Sequence, residues 1–238
     1  MKKSSSEEVS EPPVLHLLWD PAERKRYPQG AFECAKDAHR NLVGGSDKVT
    51  RENMERMIET LKKYTDKPIY EFPGDKDQVT GKANGIFTPC VANSRYTKFF
   101  SDLQAEFEPK LTEIYGRNVE WVWYLALGGK VAKAARAKKM SREQIIKRFE
   151  YWTKFGNFSW YYLEAGSGER MLPLSLILEC NKICQDRRKK FIYGGGIRKF
   201  EQAKPLYENK VNIVVGNALL YPEGISEIRK IQKKLYRA

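Results

Sequence analysis

Tyr162-Leu163-Glu164-Ala165-Gly166-Ser167-Gly168 closes an aromatic, apolar run begun at Trp160, sets one carboxylate at its end, and then opens into small residues. Such residues let a backbone approach a ligand closely, yet one stretch of this kind is commonly an ordinary turn. Two later stretches repeat the pattern. Phe191-Ile192-Tyr193 runs into Gly194-Gly195-Gly196-Ile197-Arg198, and Ile213-Val214-Val215 runs into Gly216-Asn217. Three successive apolar strands each ending in a glycine loop describe a repeated strand–loop–helix unit rather than three unrelated turns.

Working outward, the same unit recurs along the chain. Val14 to Trp19 is a short apolar run stopped by Asp20-Pro21, and Asn41-Leu42-Val43 leads into Gly44-Gly45-Ser46, where the glycines also suit a plain turn. Thr50 or Asp47 caps a helix in which Met54, Met57, Ile58 and Leu61 bury one face. Pro68 to Phe72 reads as a third strand and Gly85-Ile86-Phe87, before Thr88-Pro89, as a fourth. The stretch between them is too short for a helical crossover, so the third helix is expected to be degenerate. Trp121 to Leu127 is the fifth strand. Ser141 with Gln144 forms a capping box for a helix through Phe155, Pro173 starts another, and Pro222 begins a last helix with an apolar stripe of Ile225, Ile228, Ile231 and Leu235. Eight strands with mostly helical connections predict an α/β fold, a single (β/α)8 TIM-type barrel over residues 14–238 behind a disordered tail, 1–13.

At 238 residues the chain matches one such barrel, and 41% hydrophobic residues suffice for its core. The formal charge of +13 favours an anionic partner. No nucleic-acid-binding signature accompanies it, so no nucleic acid is expected. The basic segment 130–140 reads either as a phosphate-attracting loop at the catalytic face or as a solvated linker. Cys34, Cys90, Cys180 and Cys184 form no CxxC pair, and no run reaches the length of a membrane span. A reduced, cytoplasmic protein is expected.

In barrels of this kind the loops after strands seven and eight often bind phosphate, and Gly194-Gly195-Gly196 and Gly216-Asn217 occupy those places. Asp20 and Ser46 end the first two strands, where a carboxylate and a hydroxyl suit Mg²⁺ that shares its shell with substrate phosphates. Glu164 lies between the two regions and is placed to take a proton from a hydroxyl.

Quoted in order, LLWDPAE, NLVGGSDKVTREN, PIYEFPG, ANSR, YLEAGSG, YGGGIR and IVVGN resemble the geranylgeranylglyceryl phosphate synthase family, which includes the heptaprenylglyceryl phosphate synthases, over Leu15 to Leu220. The resemblance implies a Mg²⁺-dependent prenyltransferase that joins sn-glycerol 1-phosphate to a polyprenyl diphosphate, geranylgeranyl in the archaeal type. It implies Asp20 and Ser46 as metal ligands, and Glu164 and Tyr162 as catalytic residues with Glu164 the base. Tyr162, Leu163, Glu164, Ala165, Gly166, Ser167, Gly168, Gly195, Gly196, Gly216 and Asn217 would bind glycerol phosphate. It further implies a homo-oligomer and peripheral contact with a membrane surface. Departures from the family pattern fall between Phe100 and Trp121, after Gly129, and at Glu169-Arg170. Leu18 stands where some bacterial relatives carry lysine, which leans toward the archaeal type. Two other readings stay open on the residues alone: a sugar-phosphate isomerase, and a basic barrel that binds phosphate-bearing or anionic lipid ligands without catalysis. The lack of a second acid or base opposite Glu164 weighs against the first, and the joint presence of Asp20, Glu164 and the glycine loops against the second.

Overall fold

The apolar runs become eight parallel strands that close in chain order into one barrel in a computed structural model, which describes residues 12–45 and 47–236. They are β1 (Leu15–Trp19), β2 (Arg40–Val43), β3 (Ile69–Glu71), β4 (Gly85–Val91), β5 (Val119–Ala126), β6 (Trp160–Glu164), β7 (Phe191–Gly194) and β8 (Asn212–Val215). The ring shuts where Leu15, His16 and Leu17 pair with Ile213, Val214 and Val215. The tail expected over 1–13 lies outside the described residues as far as Glu11, and so does Ser46.

Among the described residues seven α-helices follow the strands: α1 (Arg51–Leu61), α2 (Leu103–Tyr115), α3 (Gly129–Ala134), α4 (Arg142–Phe155), α5 (Leu174–Gln185), α6 (Phe200–Glu208) and α7 (Pro222–Ile231). Two of them begin on reciprocal caps, which satisfy backbone donors that a helix start leaves orphaned. Thr50, not Asp47, caps α1 together with Asn53, and Ser141 caps α4 together with Gln144. Among the described residues no helix is long and apolar enough to cross a membrane.

Strand alternation sorts the core into two layers. Outward residues such as Trp19, Trp123, Tyr161 and Tyr193 pack under the helices. Inward residues, among them Leu42, Tyr70, Phe87, Tyr124, Trp160 and Tyr162, fill the barrel. The amino-terminal end is shut by Arg40, which pairs with Glu120 at 2.7 Å and lies 4.7 Å over the Tyr70 ring. Trp160 Nε1 donates to the same Glu120. With the bottom closed, the barrel interior opens at the carboxyl ends of its strands.

The connection from β3 to β4 holds just a three-residue 3-10 turn, Lys76–Gln78, so the helical layer lacks its third member as expected. Glu71 fills part of that gap. Its fully buried carboxylate accepts from the Thr80 N–H and hydroxyl, which tie the loop down in place of a helix.

Two expectations need correction. The fourth strand does not stop at Thr88-Pro89 but runs to Val91. Proline normally interrupts a sheet because it lacks the N–H. Here β3 pairs with β4 only through Gly85 and Ile86, so beyond that point one edge of β4 has no strand to satisfy. The Pro89 carbonyl is taken instead by Gln104 Nε2 at 2.7 Å. The segment after Gly129 is likewise not a solvated linker throughout, although Lys133, Arg136, Lys138 and Lys139 are exposed. It forms α3 and buries Ala135 completely, which brings Lys130 to the barrel mouth.

Candidate active site

At the carboxyl ends of the strands two cavities adjoin. The larger, of about 370 Å³, has an apolar wall that includes Leu18, Phe72, Val91 and Tyr124, with Asp20 and Gly45 on its β1–β2 side. The smaller, of about 40 Å³, is lined by Gly168, Gly195, Gly196, Gly216 and Asn217. Tyr162, Glu164 and Ser167 border both. The acid and the glycine loops, distant in sequence, are therefore neighbours in space.

Glu164 is the last residue of β6 and points inward with Trp160 and Tyr162 because alternate strand residues share a face. Its Oε2 accepts from the Tyr162 hydroxyl and its Oε1 from the Gly166 N–H at 3.0 Å. Only 6% of the residue is exposed. Burial disfavours the carboxylate and raises its pKa, while the two hydrogen bonds pull the other way without cancelling it. A carboxyl raised in this manner holds a proton more firmly than an exposed glutamate would. Tyr162 stacks on Tyr124 at 4.7 Å between ring centroids, and burial drives both phenols far above their ordinary range. They stay neutral, so Tyr162 acts toward Glu164 as a fixed donor.

Gly194 pairs with Glu164 across β6 and β7, and a Cβ there would collide with Tyr162 Oη and Glu164 Oε2. Any other residue would displace the hydrogen-bonded pair. Gly45 plays the same part for Asp20: a Cβ would come within 2.5 Å of its Oδ1. Asp20 is raised mainly by burial, and its Oδ1 accepts from the Ala22 N–H at 3.0 Å. The glycine loops after β6 and β7 are joined by Arg198, whose Nη2 donates to the Gly168 carbonyl at 2.7 Å.

Of the residues singled out from the sequence, Tyr162, Glu164, Gly166, Ser167, Gly168, Gly195, Gly196, Gly216, Asn217 and Asp20 all border one cavity or the other. The side chains of Leu163 and Ala165 instead face the helical layer. Among residues the sequence reading passed over, Phe72 and Tyr124 wall the larger cavity, and Gly45 makes room for Asp20. Tyr124 was legible as an inward residue from strand alternation, but its partner Tyr162 follows only from the register of β5 with β6.

Asp20 is one carboxylate beside open cavity, and among the described residues no group of three or more His, Cys, Asp or Glu is placed to hold a metal. That donor set fits Mg²⁺, which keeps several waters and is bound through one or two carboxylates plus substrate phosphates. It does not fit a metal that needs a full protein cage.

A family model described as the PcrB family matches residues 14–235. The chain is 32% identical over 182 residues to the geranylgeranylglyceryl phosphate synthase of Zunongwangia profunda, which covers 73% of this chain and 75% of that protein. It is 24% identical to the enzyme of the same name from Thermofilum pendens, over 98% of this chain and 92% of the relative. Among solved structures it is similar to the (S)-3-O-geranylgeranylglyceryl phosphate synthase of Thermoplasma acidophilum in complex with its substrate sn-glycerol-1-phosphate. The TM-score is 0.82 at 24% identity, over 96% of this chain and 95% of that one. At that identity the likeness bears on the fold, which is the same barrel.

Proposed function

The chain belongs to the PcrB family and is a prenyltransferase of the geranylgeranylglyceryl phosphate synthase kind, and we propose that it joins a polyprenyl diphosphate to sn-glycerol 1-phosphate at the junction of its two cavities. The observation that carries this reading is the position of Glu164, which borders the small glycine-lined cavity and the large apolar one at once. A phosphate suits the first and an isoprenoid chain the second.

Glycerol phosphate binds with its phosphate at Gly195, Gly196, Gly216 and Asn217, which leaves its terminal hydroxyl toward Glu164. The prenyl chain lies along Leu18, Phe72 and Tyr124, and its diphosphate lies on the Asp20 side. The glycerol oxygen attacks the allylic carbon, the bond from that carbon to the diphosphate oxygen breaks with the electron pair leaving on diphosphate, and the hydroxyl proton passes to Glu164. Tyr162 and the Gly166 N–H hold the carboxylate in one orientation, so no reorganisation is needed at that moment. The apolar wall keeps water from the allylic carbon. Asp20, with Ser46 expected beside it, would hold Mg²⁺, which when bound supplies positive charge to the departing diphosphate.

The same reading includes a cytoplasmic enzyme, in keeping with four free, buried cysteines. It also includes a homo-oligomer that touches a membrane surface when it takes up its lipid substrate. The test is a product assay: purified protein, Mg²⁺, sn-glycerol 1-phosphate, and geranyl, geranylgeranyl and longer polyprenyl diphosphates, with the ether detected by mass spectrometry. No ether at any chain length sinks the proposal. Asp20→Asn is expected to raise the Mg²⁺ concentration that gives half the maximal rate.

A further inference from the structure

Three cations line the large cavity, and they are held very differently. Lys98 pairs with Asp75. Arg26 Nη1 lies 2.7 Å from Glu23 Oε2. Lys130 Nζ approaches the other oxygen of the same carboxylate, Glu23 Oε1, at 3.6 Å, beyond hydrogen-bond distance. One carboxylate therefore answers two cations, and Arg26 has the better share of it. Glu23 is held below the usual carboxylate range chiefly by the hydrogen bond from Arg26, with Lys130 a lesser cause.

Position gives this loose pair its interest. Glu23 follows β1 and Lys130 follows β5, and these strands stand opposite each other in an eight-stranded ring. The contact therefore spans the cavity mouth. Lys130 also acts electrostatically on Asp20, pulling its carboxyl down against burial. Among the residues that line the cavity, Asp20, Glu23, Asp75 and Glu164 outnumber the three cations. A diphosphate entering such a site needs positive charge not already committed. β1 supplies none, since its cavity residue is Leu18. Lys130 is the cation with the weakest hold on its partner and the closest electrostatic tie to Asp20.

We propose that Lys130 is a diphosphate-binding residue of this barrel, resting on Glu23 while the cavity is empty and moving to the diphosphate of the prenyl substrate when it enters. The inference rests on the prenyltransferase reading for its substrate, but the anion site is testable without turnover. Lys130 is half exposed and Glu23 competes for it, so the two residues have opposite effects on diphosphate affinity.

The experiment titrates inorganic diphosphate with Mg²⁺ into the full chain by calorimetry. Lys130→Ala is expected to weaken binding about tenfold, the loss of one charge-assisted contact, and Glu23→Gln to tighten it. In the double variant Glu23→Gln should bring no tightening, because the cation it frees is gone. Steady-state kinetics of Lys130→Ala should show a raised KM for the polyprenyl diphosphate with an unchanged KM for glycerol phosphate. Unaltered diphosphate affinity in a Lys130→Ala variant of normal melting temperature overturns the proposal. So does tightening by Glu23→Gln that persists without Lys130, which would assign the role to Arg26. A wild-type protein whose diphosphate binding needs Lys130 but which makes no ether would sink the prenyltransferase reading alone. Ether formation with diphosphate affinity and KM unmoved by Lys130→Ala would sink this one alone.

Discussion

Tyr162 donates a hydrogen bond to Glu164 Oε2 from two residues back along the same strand, and the missing side chain of Gly194 leaves the room for both groups. Adjacent inward positions of a strand bring a phenol and a carboxylate together without any loop having to order itself. If Glu164 is the base, Glu164→Gln keeps the shape and removes the proton acceptor. Turnover should fall by about 10²–10⁴-fold, the usual span for a positioned general base. Glycerol phosphate affinity, measured by calorimetry, should change little if, as proposed, the phosphate is held at the glycine loops. A comparable loss of binding would instead make Glu164 a ligand of the substrate.

The phenol tunes the Glu164 carboxyl. Its hydrogen bond opposes the burial that raises the Glu164 pKa. Tyr162→Phe removes the opposing effect and leaves the burial, so the carboxyl rises further. Because only the carboxylate accepts a proton, the acid limb of the kcat/KM profile should move to higher pH in Tyr162→Phe. A limb that stays in place would show that Glu164 is not the group titrating in the rate.

Gly194→Ala tests the space itself. Its Cβ would sit on the Tyr162 hydroxyl and the Glu164 carboxylate, so both must move or the strand must shift. Overpacking of this kind costs about 1–3 kcal/mol, and a small displacement of the base can cost about 10²-fold in rate. Chemical denaturation and kinetics together check the pair. Full activity in Gly194→Ala would mean that the observed contact is not the catalytic one.

Much of this arrangement is written locally. The Ser141–Gln144 cap, the apolar runs and the three glycine loops are features of consecutive residues, and each reads correctly without neighbours. Pro89 shows where local rules stop, because its tolerance depends on how short β3 is, a fact about a different strand. Gly45 looks like a turn residue until Asp20 is seen against it. Lys130 was one lysine in a basic stretch, and only the opposition of β1 and β5 across the ring gives it Glu23 as a partner. Leu163 and Ala165 sit inside the diagnostic motif yet turn away from the cavities, as alternation requires of the residues on either side of Glu164.

The closed end of the barrel carries its own pH dependence, opposite in sign to that of Glu164. His16 points into the barrel, fully buried, between the Phe87 and Trp160 rings, and neither ring nitrogen has a hydrogen-bond partner. Burial first, and then the nearby Arg40 charge, lower its pKa to about 3. A histidine depressed in the fold is neutral there while the unfolded chain takes up a proton, so its contribution to stability is complete above the unfolded value near 6.5 and is lost as pH falls toward about 3. Glu164 runs the other way: its raised pKa makes the folded state the tighter proton binder, so its stabilising contribution is present at low pH and lost as pH rises. His16→Leu removes the first dependence and keeps the second. Between pH 6.5 and 4.5 the wild-type chain should therefore lose roughly 2 kcal/mol more than His16→Leu, at about 1.36 kcal/mol for each pH unit once the unfolded histidine is protonated. Denaturation midpoints at several pH values check the slope. Parallel curves for the two proteins would mean that His16 is protonated in the fold, with its charge satisfied at the bottom of the barrel.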